Sequence, residues 1–136
     1  MSDEFLYPED VSSASIKKLF DDAEMETAID HDGDVLIKDK YSCFLRSDTS
    51  GKMILIYAIF GFDAGAQVAA KLEFVNRVND QGKLIRASVM SDGRLFFDYY
   101  IPIDGGIAKR AVVISAARFL FCIAAAMAQD TDGVVA

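Results

Sequence analysis

The chain is predicted to fold as one α+β domain, an antiparallel sheet flanked by helices in the order α, three or four strands, α, β, β, α. Three observations carry this. Two Asp-Gly pairs, Asp32-Gly33 and Asp92-Gly93, each lie between extended apolar-rich runs, the mark of β-hairpins. Three other stretches repeat apolar residues at helical spacing. The 136 residues are 52% hydrophobic and 26% charged, enough to bury one core without cross-links and too apolar for disorder. Hairpins join antiparallel neighbours, so the sheet is predominantly antiparallel.

Residues 1–12 read as an acidic arm whose Phe5, Leu6 and Tyr7 can dock on the body, 13–130 as the domain and 131–136 as a flexible tail. The acidic start, MSDEFLYPED, has no apolar run, so no secretory signal is expected and the protein is placed in the cytoplasm. A first helix is predicted from about Ser13 to Ala23, capped by Ser12 or Ser13, with Ile16, Leu19 and Phe20 on its inner stripe. Thr27 to Ile37 forms a hairpin about Asp32-Gly33, whose polar residues face water. Strands follow at Tyr41–Arg46 and Met53–Phe60, separated by the turn-rich 47–51. Met53–Phe60 is apolar without alternation, which predicts a central strand with both faces covered.

A second helix is predicted from about Ala64 to Asp80, with Val68, Leu72, Val75 and Asn79 on one face and Gly82 as its stop. Lys83–Met90 then pairs with Arg94–Ile101 about Asp92-Gly93. Alternation sends Leu95, Phe97, Tyr99 and Ile101 to the core, and Arg94, Phe96, Asp98 and Tyr100 to the other side. Phe96 and Tyr100 are therefore expected on a wet or contacted face. Asp104-Gly105-Gly106 turns the chain into a last helix, Ile107 to Gln129.

That helix is apolar over much of its circumference. At roughly 100° per residue, Arg110, Ser115, Arg118, Cys122 and Gln129 fall within an arc of about 140°. The remaining arc is wider than the ~100° stripe a surface helix needs. The excess is expected to meet a partner chain, through Val112, Ala116, Phe119, Leu120 and Ile123 together with Phe96 and Tyr100. The 18 residues Ala111–Ala128 sit at the lower length limit for a membrane span. Arg118 near their centre costs roughly 2.5–3.5 kcal/mol on insertion scales, so a buried helix is the reading, with no membrane partner.

Chemistry is sparse. The net charge of −7 argues against a nucleic-acid partner, whose binding needs a Lys/Arg surface. Asp30, Asp32 and Asp34 alternate like the opening of a calcium loop, but glycine stands fourth and the twelfth residue is Tyr41. His31 is the only histidine, which removes most zinc sites. Cys43 and Cys122 lie among apolar neighbours and read as reduced, buried thiols. The glycines do not follow phosphate-loop or dinucleotide-binding spacings. Asn79 is expected to close its helix end or tie it to a neighbouring strand, because a buried amide must find partners. No catalytic, metal or cofactor set is expected.

The run Leu72-Glu-Phe-Val-Asn76-Arg-Val-Asn79, the Asp92-Gly93 hairpin and Asp104-Gly105-Gly106 before a long helix resemble the YbjN family of candidate bacterial sensory-transduction regulators. The likeness covers roughly residues 13–129. It implies a fold similar to type III secretion chaperones, with a tendency to dimerise, and no established catalytic residues. Asn76, Asn79, Gly93, Gly105 and Gly106 are the matching positions, as markers of the fold. The expected function is a non-catalytic chaperone-like or regulatory module, homodimeric and binding protein, in signal transduction or stress regulation. The alternative is a small-molecule or anion sensor with a pocket between the sheet and the last helix near Gly105.

Overall fold

The computed structural model describes residues 4–136. In chain order the elements are β1 Phe5–Leu6, α1 Ser13–Asp22, β2 Glu26–Ile29, β3 Val35–Lys38, β4 Cys43–Ser47, β5 Met53–Phe60, α2 Val68–Gln81, β6 Arg86–Val89, β7 Leu95–Pro102, β8 Ile107–Ala108 and α3 Lys109–Ala128. Six strands form one antiparallel sheet in the order β2-β3-β4-β5-β7-β6, and β1 pairs with β8 in a separate two-stranded ladder.

Both Asp-Gly hairpins turn through three residues rather than the two their dipeptides suggested. Asp30 N–H bonds the Asp34 carbonyl and Gly33 N–H bonds the Asp30 carbonyl; Met90, Arg94 and Gly93 repeat the pattern. Gly33 and Gly93 stand at φ of 84° and 89°, the left-handed position that closes such loops. Helix α1 starts at a reciprocal capping box between Ser12 and Ser15. Helix α2 starts later than predicted, because 63–67 form a turn.

All three helices lie on one face of the sheet. Ile16 and Phe20 of α1, Phe74 and Val78 of α2, and Val112, Phe119 and Ile123 of α3 join Val35, Leu45, Ile56, Phe97 and Ile101 in one buried cluster. Each such side chain contributes roughly 1.5–3 kcal/mol of burial. The face of α2 that turns inward is set by Phe74, Val75 and Val78; of the predicted stripe Val75 is buried, whereas Val68 and Leu72 are 67% and 51% exposed.

The arm from Phe5 onward and the C-terminal stretch are both packed. Leu6 is buried and β1 docks on β8, so the acidic arm is part of the body from Phe5 onward; Met1–Asp3 lie outside the described residues. The stretch expected to be a flexible tail buries Val134 and bridges Val135 to Phe62. The Asp130 carboxylate holds it by accepting from the Val134 and Val135 amides, each at 2.9 Å.

Candidate functional site

Opposite the helices, the sheet presents a second face that no helix covers. Alternation from the core residues fixes its members: Leu36 on β3, Phe44 and Arg46 on β4, Leu55, Tyr57 and Ile59 on β5, Phe96, Asp98 and Tyr100 on β7 and Arg86 on β6. None of the apolar residues of this set belongs to the helix-side core. The expectation that β5 is central holds, since it lies between β4 and β7. Coverage of both its faces does not: Ile54, Ile56 and Ala58 join the helix-side core, while Leu55, Tyr57 and Ile59 alternate with them on the other face and stand outside that core.

The register builds an aromatic row across three strands. Phe44 and Tyr57 are direct cross-strand partners with ring centroids 5.2 Å apart at 17°, and Phe96 continues the stack at 5.8 Å and 24°. Two carboxylates flank the row, each only 4% exposed. Asp34 accepts a hydrogen bond from the Tyr57 hydroxyl and has Arg46 Nη1 at 3.9 Å. Asp98 receives a bidentate fork from Arg86, Nε at 2.9 Å and Nη2 at 2.6 Å. Asp34 was expected to face water in its turn; Tyr57 reaches it from β5 and takes it out of solvent. Burial, and then the Asp34 bond, push the Tyr57 phenol above its ordinary range, so it stays neutral and donates. The Asp98 fork holds the Arg86 guanidinium above its usual value.

Phe96 and Tyr100 stand on this face, as alternation predicted. Val112, Ala116, Phe119, Leu120 and Ile123 do not join them. All five are buried against the chain's own sheet and helices, on the opposite side, and so are core rather than contact residues. What α3 leaves bare is a different stripe, with Ile114 47% and Phe121 73% exposed beside Arg110 and Arg118. Ser115 and Cys122, predicted on the polar arc, are half-buried. By length and composition α3 is able to cross a membrane, yet Val112, Ala116, Phe119, Leu120, Ile123 and Ala126 pack within the domain.

Sequence reasoning missed Phe44, Leu55, Tyr57, Asp34 and Arg86. The signal for β5 was masked because both of its alternating sets are apolar. Asn79 does what its position suggested, bonding both backbone groups of Ala87 on β6. Gly105 and Gly106 are left-handed at φ of 76° and 97°, and a Cβ on Gly106 would meet the Tyr7 ring at 2.6 Å. Asn76 is exposed. Beneath the start of α3, Ile103 and Val112 are fully buried. A hollow of about 650 Å³ lies between the arm, α1 and the start of α3, lined by Phe5, Tyr7, Lys18 and Lys109 among others.

Among the described residues there is no group of three His, Cys, Asp or Glu side chains placed to hold a metal ion. His31 is exposed at its turn while Cys43 is fully buried, its thiol pushed up to about 12 by burial and then by Asp39. Both cysteines are free.

The fold is similar to that of the crystal structure of YbjN from E. coli, with a TM-score of 0.76 at 10% identity, covering 93% of this chain and 96% of that one. It is also similar to a chain of the HopA1-SchA chaperone-effector complex (TM-score 0.53, 14% identity, 77% and 84% covered). A third likeness is to the Yersinia pestis type III secretion chaperone SycH in complex with a stable fragment of YscM2 (TM-score 0.53, 13% identity, 79% and 92% covered). At these identities the likenesses establish the fold alone. Among curated proteins, none matches by sequence. The family described as "Putative bacterial sensory transduction regulator", YbjN, matches residues 12–134, nearly the whole chain, and this protein belongs to the YbjN family.

Proposed function

We propose that this protein is a non-catalytic binding module, chaperone-like or regulatory, that receives an apolar segment of a protein partner on the open face of its sheet. It works as a homodimer in the cytoplasm, in signal transduction or stress regulation. One observation carries the reading: the stacked row Phe44–Tyr57–Phe96, with Leu36, Ile59 and Tyr100 around it, faces away from the helices and is only half sheltered. Contiguous apolar surface of this kind on a folded domain marks a contact. Aromatic side chains with a ring of satisfied polar groups are the usual anchors of such contacts. The flanking carboxylates are already partnered by Arg86, Tyr57 and Arg46, so docking there leaves no buried charge bare. The family's description and the chaperone complexes among the fold's relatives support the same class of task.

The test is partner capture from the native cell with the wild type and with Phe44→Ser and Tyr100→Glu variants, followed by titration of the purified partner. A partner that binds the wild type and is lost from both variants, with their melting transitions kept, is the expected result. A partner bound equally by all three would sink the assignment of the surface.

A further inference from the structure

Two arginines decide what kind of segment fits the open face. Arg46 on β4 and Arg86 on β6 are each paired with a carboxylate sunk beneath them, yet their own side chains are 54% and 68% exposed. Asp34 and Asp98 are buried and offer almost nothing to solvent. The other charges that alternation puts on the strands of this face, Glu26 and Lys38, oppose each other at its β2–β3 rim. Anything docking on the aromatic row therefore meets positive charge at two points, in a chain whose net charge is −7.

Their hydrogen bonding is also incomplete. A guanidinium carries five N–H donors. Asp98 occupies Nε and Nη2 of Arg86, and Nη1 has no acceptor among the described residues. Arg46 Nη1 is 3.9 Å from Asp34, an ion pair too long to be a hydrogen bond. Each guanidinium lies over a ring, Arg46 at 5.6 Å from the Tyr57 centroid and Arg86 at 6.0 Å from that of Tyr100. An all-apolar segment laid over the row would strip water from the free donors and put nothing in its place. A carboxylate at each would accept from them, and carboxylates match the guanidinium fork best.

Register sets the spacing. Arg46 shares a cross-strand row with Leu55 and Tyr100, and Arg86 shares the next row with Asp98, Tyr57 and Phe44. The two arginines are three strand spacings and one row apart, roughly 15 Å at about 4.8 Å between strands. Extended chain covers that distance in about four or five residues. We infer that the open face takes an extended acidic–apolar segment of a partner protein, its apolar centre over Tyr57 and Tyr100 and one carboxylate on each of Arg46 and Arg86. The inference rests on the docking reading above and adds the chemistry of the occupant. The same two arginines disfavour a cationic or wholly apolar segment, so they confer selectivity as well as affinity.

Panning a phage-displayed library of random dodecapeptides on the full chain tests this. Enriched peptides are expected to carry two acids about four or five residues apart, with apolar or aromatic residues between them. One such peptide, labelled and titrated by fluorescence anisotropy, is expected to bind Arg46→Gln and Arg86→Lys about tenfold more weakly than wild type and Phe44→Ser not at all. Arg86→Lys keeps a cation beside Asp98, so its melting transition should match the wild type and its loss of affinity reports the missing fork. Rising salt should weaken binding to the wild type more than binding to Arg46→Gln. Enriched peptides without acids that still fail on Phe44→Ser would overturn the acidic occupant and leave the open face as the docking surface. Acid-bearing peptides that neither arginine variant weakens would do the same. No enrichment, or peptides indifferent to Phe44→Ser, would overturn both readings. An oligothymidylate that outbinds the selected peptides and is lost from both arginine variants would overturn the peptide in favour of a nucleic acid.

Discussion

The Asn79 side chain closes on the backbone of a single residue, Ala87: its Oδ1 accepts from the Ala87 N–H at 2.7 Å and its Nδ2 donates to the Ala87 carbonyl at 2.9 Å. Strand β6 is an edge of the six-stranded sheet, and these are the backbone groups that a further strand would seek. One amide from α2 thus serves as the missing neighbour and ties the helix to the sheet. Asn79→Ala is expected to destabilise the protein by about 1–3 kcal/mol, the cost of leaving partly buried polar groups unpaired. Asn79→Asp should not rescue it, since a carboxylate accepts from Ala87 N–H but cannot donate to its carbonyl. Urea unfolding of the three proteins checks both statements.

Asp98 is buried on the open face, and Arg86 forks onto it from an exposed side chain, the one cation paired with it among the described residues. Arg86→Ala leaves that carboxylate sheltered from water and without its cation. It is expected to cost about 2 kcal/mol, in the range of hydrogen bonds to charged groups. Arg86→Leu combined with Asp98→Leu should be less damaging than Arg86→Ala alone, because no uncompensated charge remains. A double-mutant cycle in denaturant measures the coupling.

Gly106 combines a φ of 97° with the Tyr7 ring in the place of its absent Cβ. Gly106→Ala is expected to cost roughly 1–3 kcal/mol through backbone strain and to push the arm off β8. Protease cutting near Phe5–Tyr7 should speed up accordingly, and adding Tyr7→Ala should recover only the steric part.

Cys43 has its thiol raised from 9.0 to about 12 by burial. The folded state holds this proton more tightly than the unfolded chain does, so the stability it contributes is complete below pH 9 and is lost as pH rises toward about 12. Cys43→Ala should flatten that alkaline decline in a series of thermal melts. In native protein at mildly alkaline pH, a thiol reagent is expected to modify Cys122 first. Cys43 should react only on unfolding, as a buried thiol does.

Local patterns in the chain reported most of the architecture. The alternation in β7 separated Phe97 and Ile101 from Phe96 and Tyr100 correctly, and the Asp-Gly pairs located both hairpins. The Asn79 and Gly106 markers pointed to positions that the structure uses for an edge clasp and a close approach. Periodicity spoke clearly wherever one side of an element was polar.

It was silent where both sides were apolar. In β5, Leu55 and Tyr57 look as suited to a core as Ile54 and Ile56. In α3, Phe121 looks as suited as Phe119. Hydropathy has no phase in such segments, and the choice of face falls to whatever packs against them. Here α1 and α2 share the side that β5 gives to α3, so Phe119 is enclosed and Phe121 is left out. The arm and the tail follow the same logic: Leu6 and Val134 sit in short apolar groups, Phe5-Leu6-Tyr7 and Val134-Val135-Ala136, flanked by polar residues, and only the assembled core offers them a place. The amino-acid order by itself determined the elements, their antiparallel pairing and the family. Tertiary structure alone decided which apolar surfaces stay bare, because burial is a property of neighbours and not of the segment that is buried.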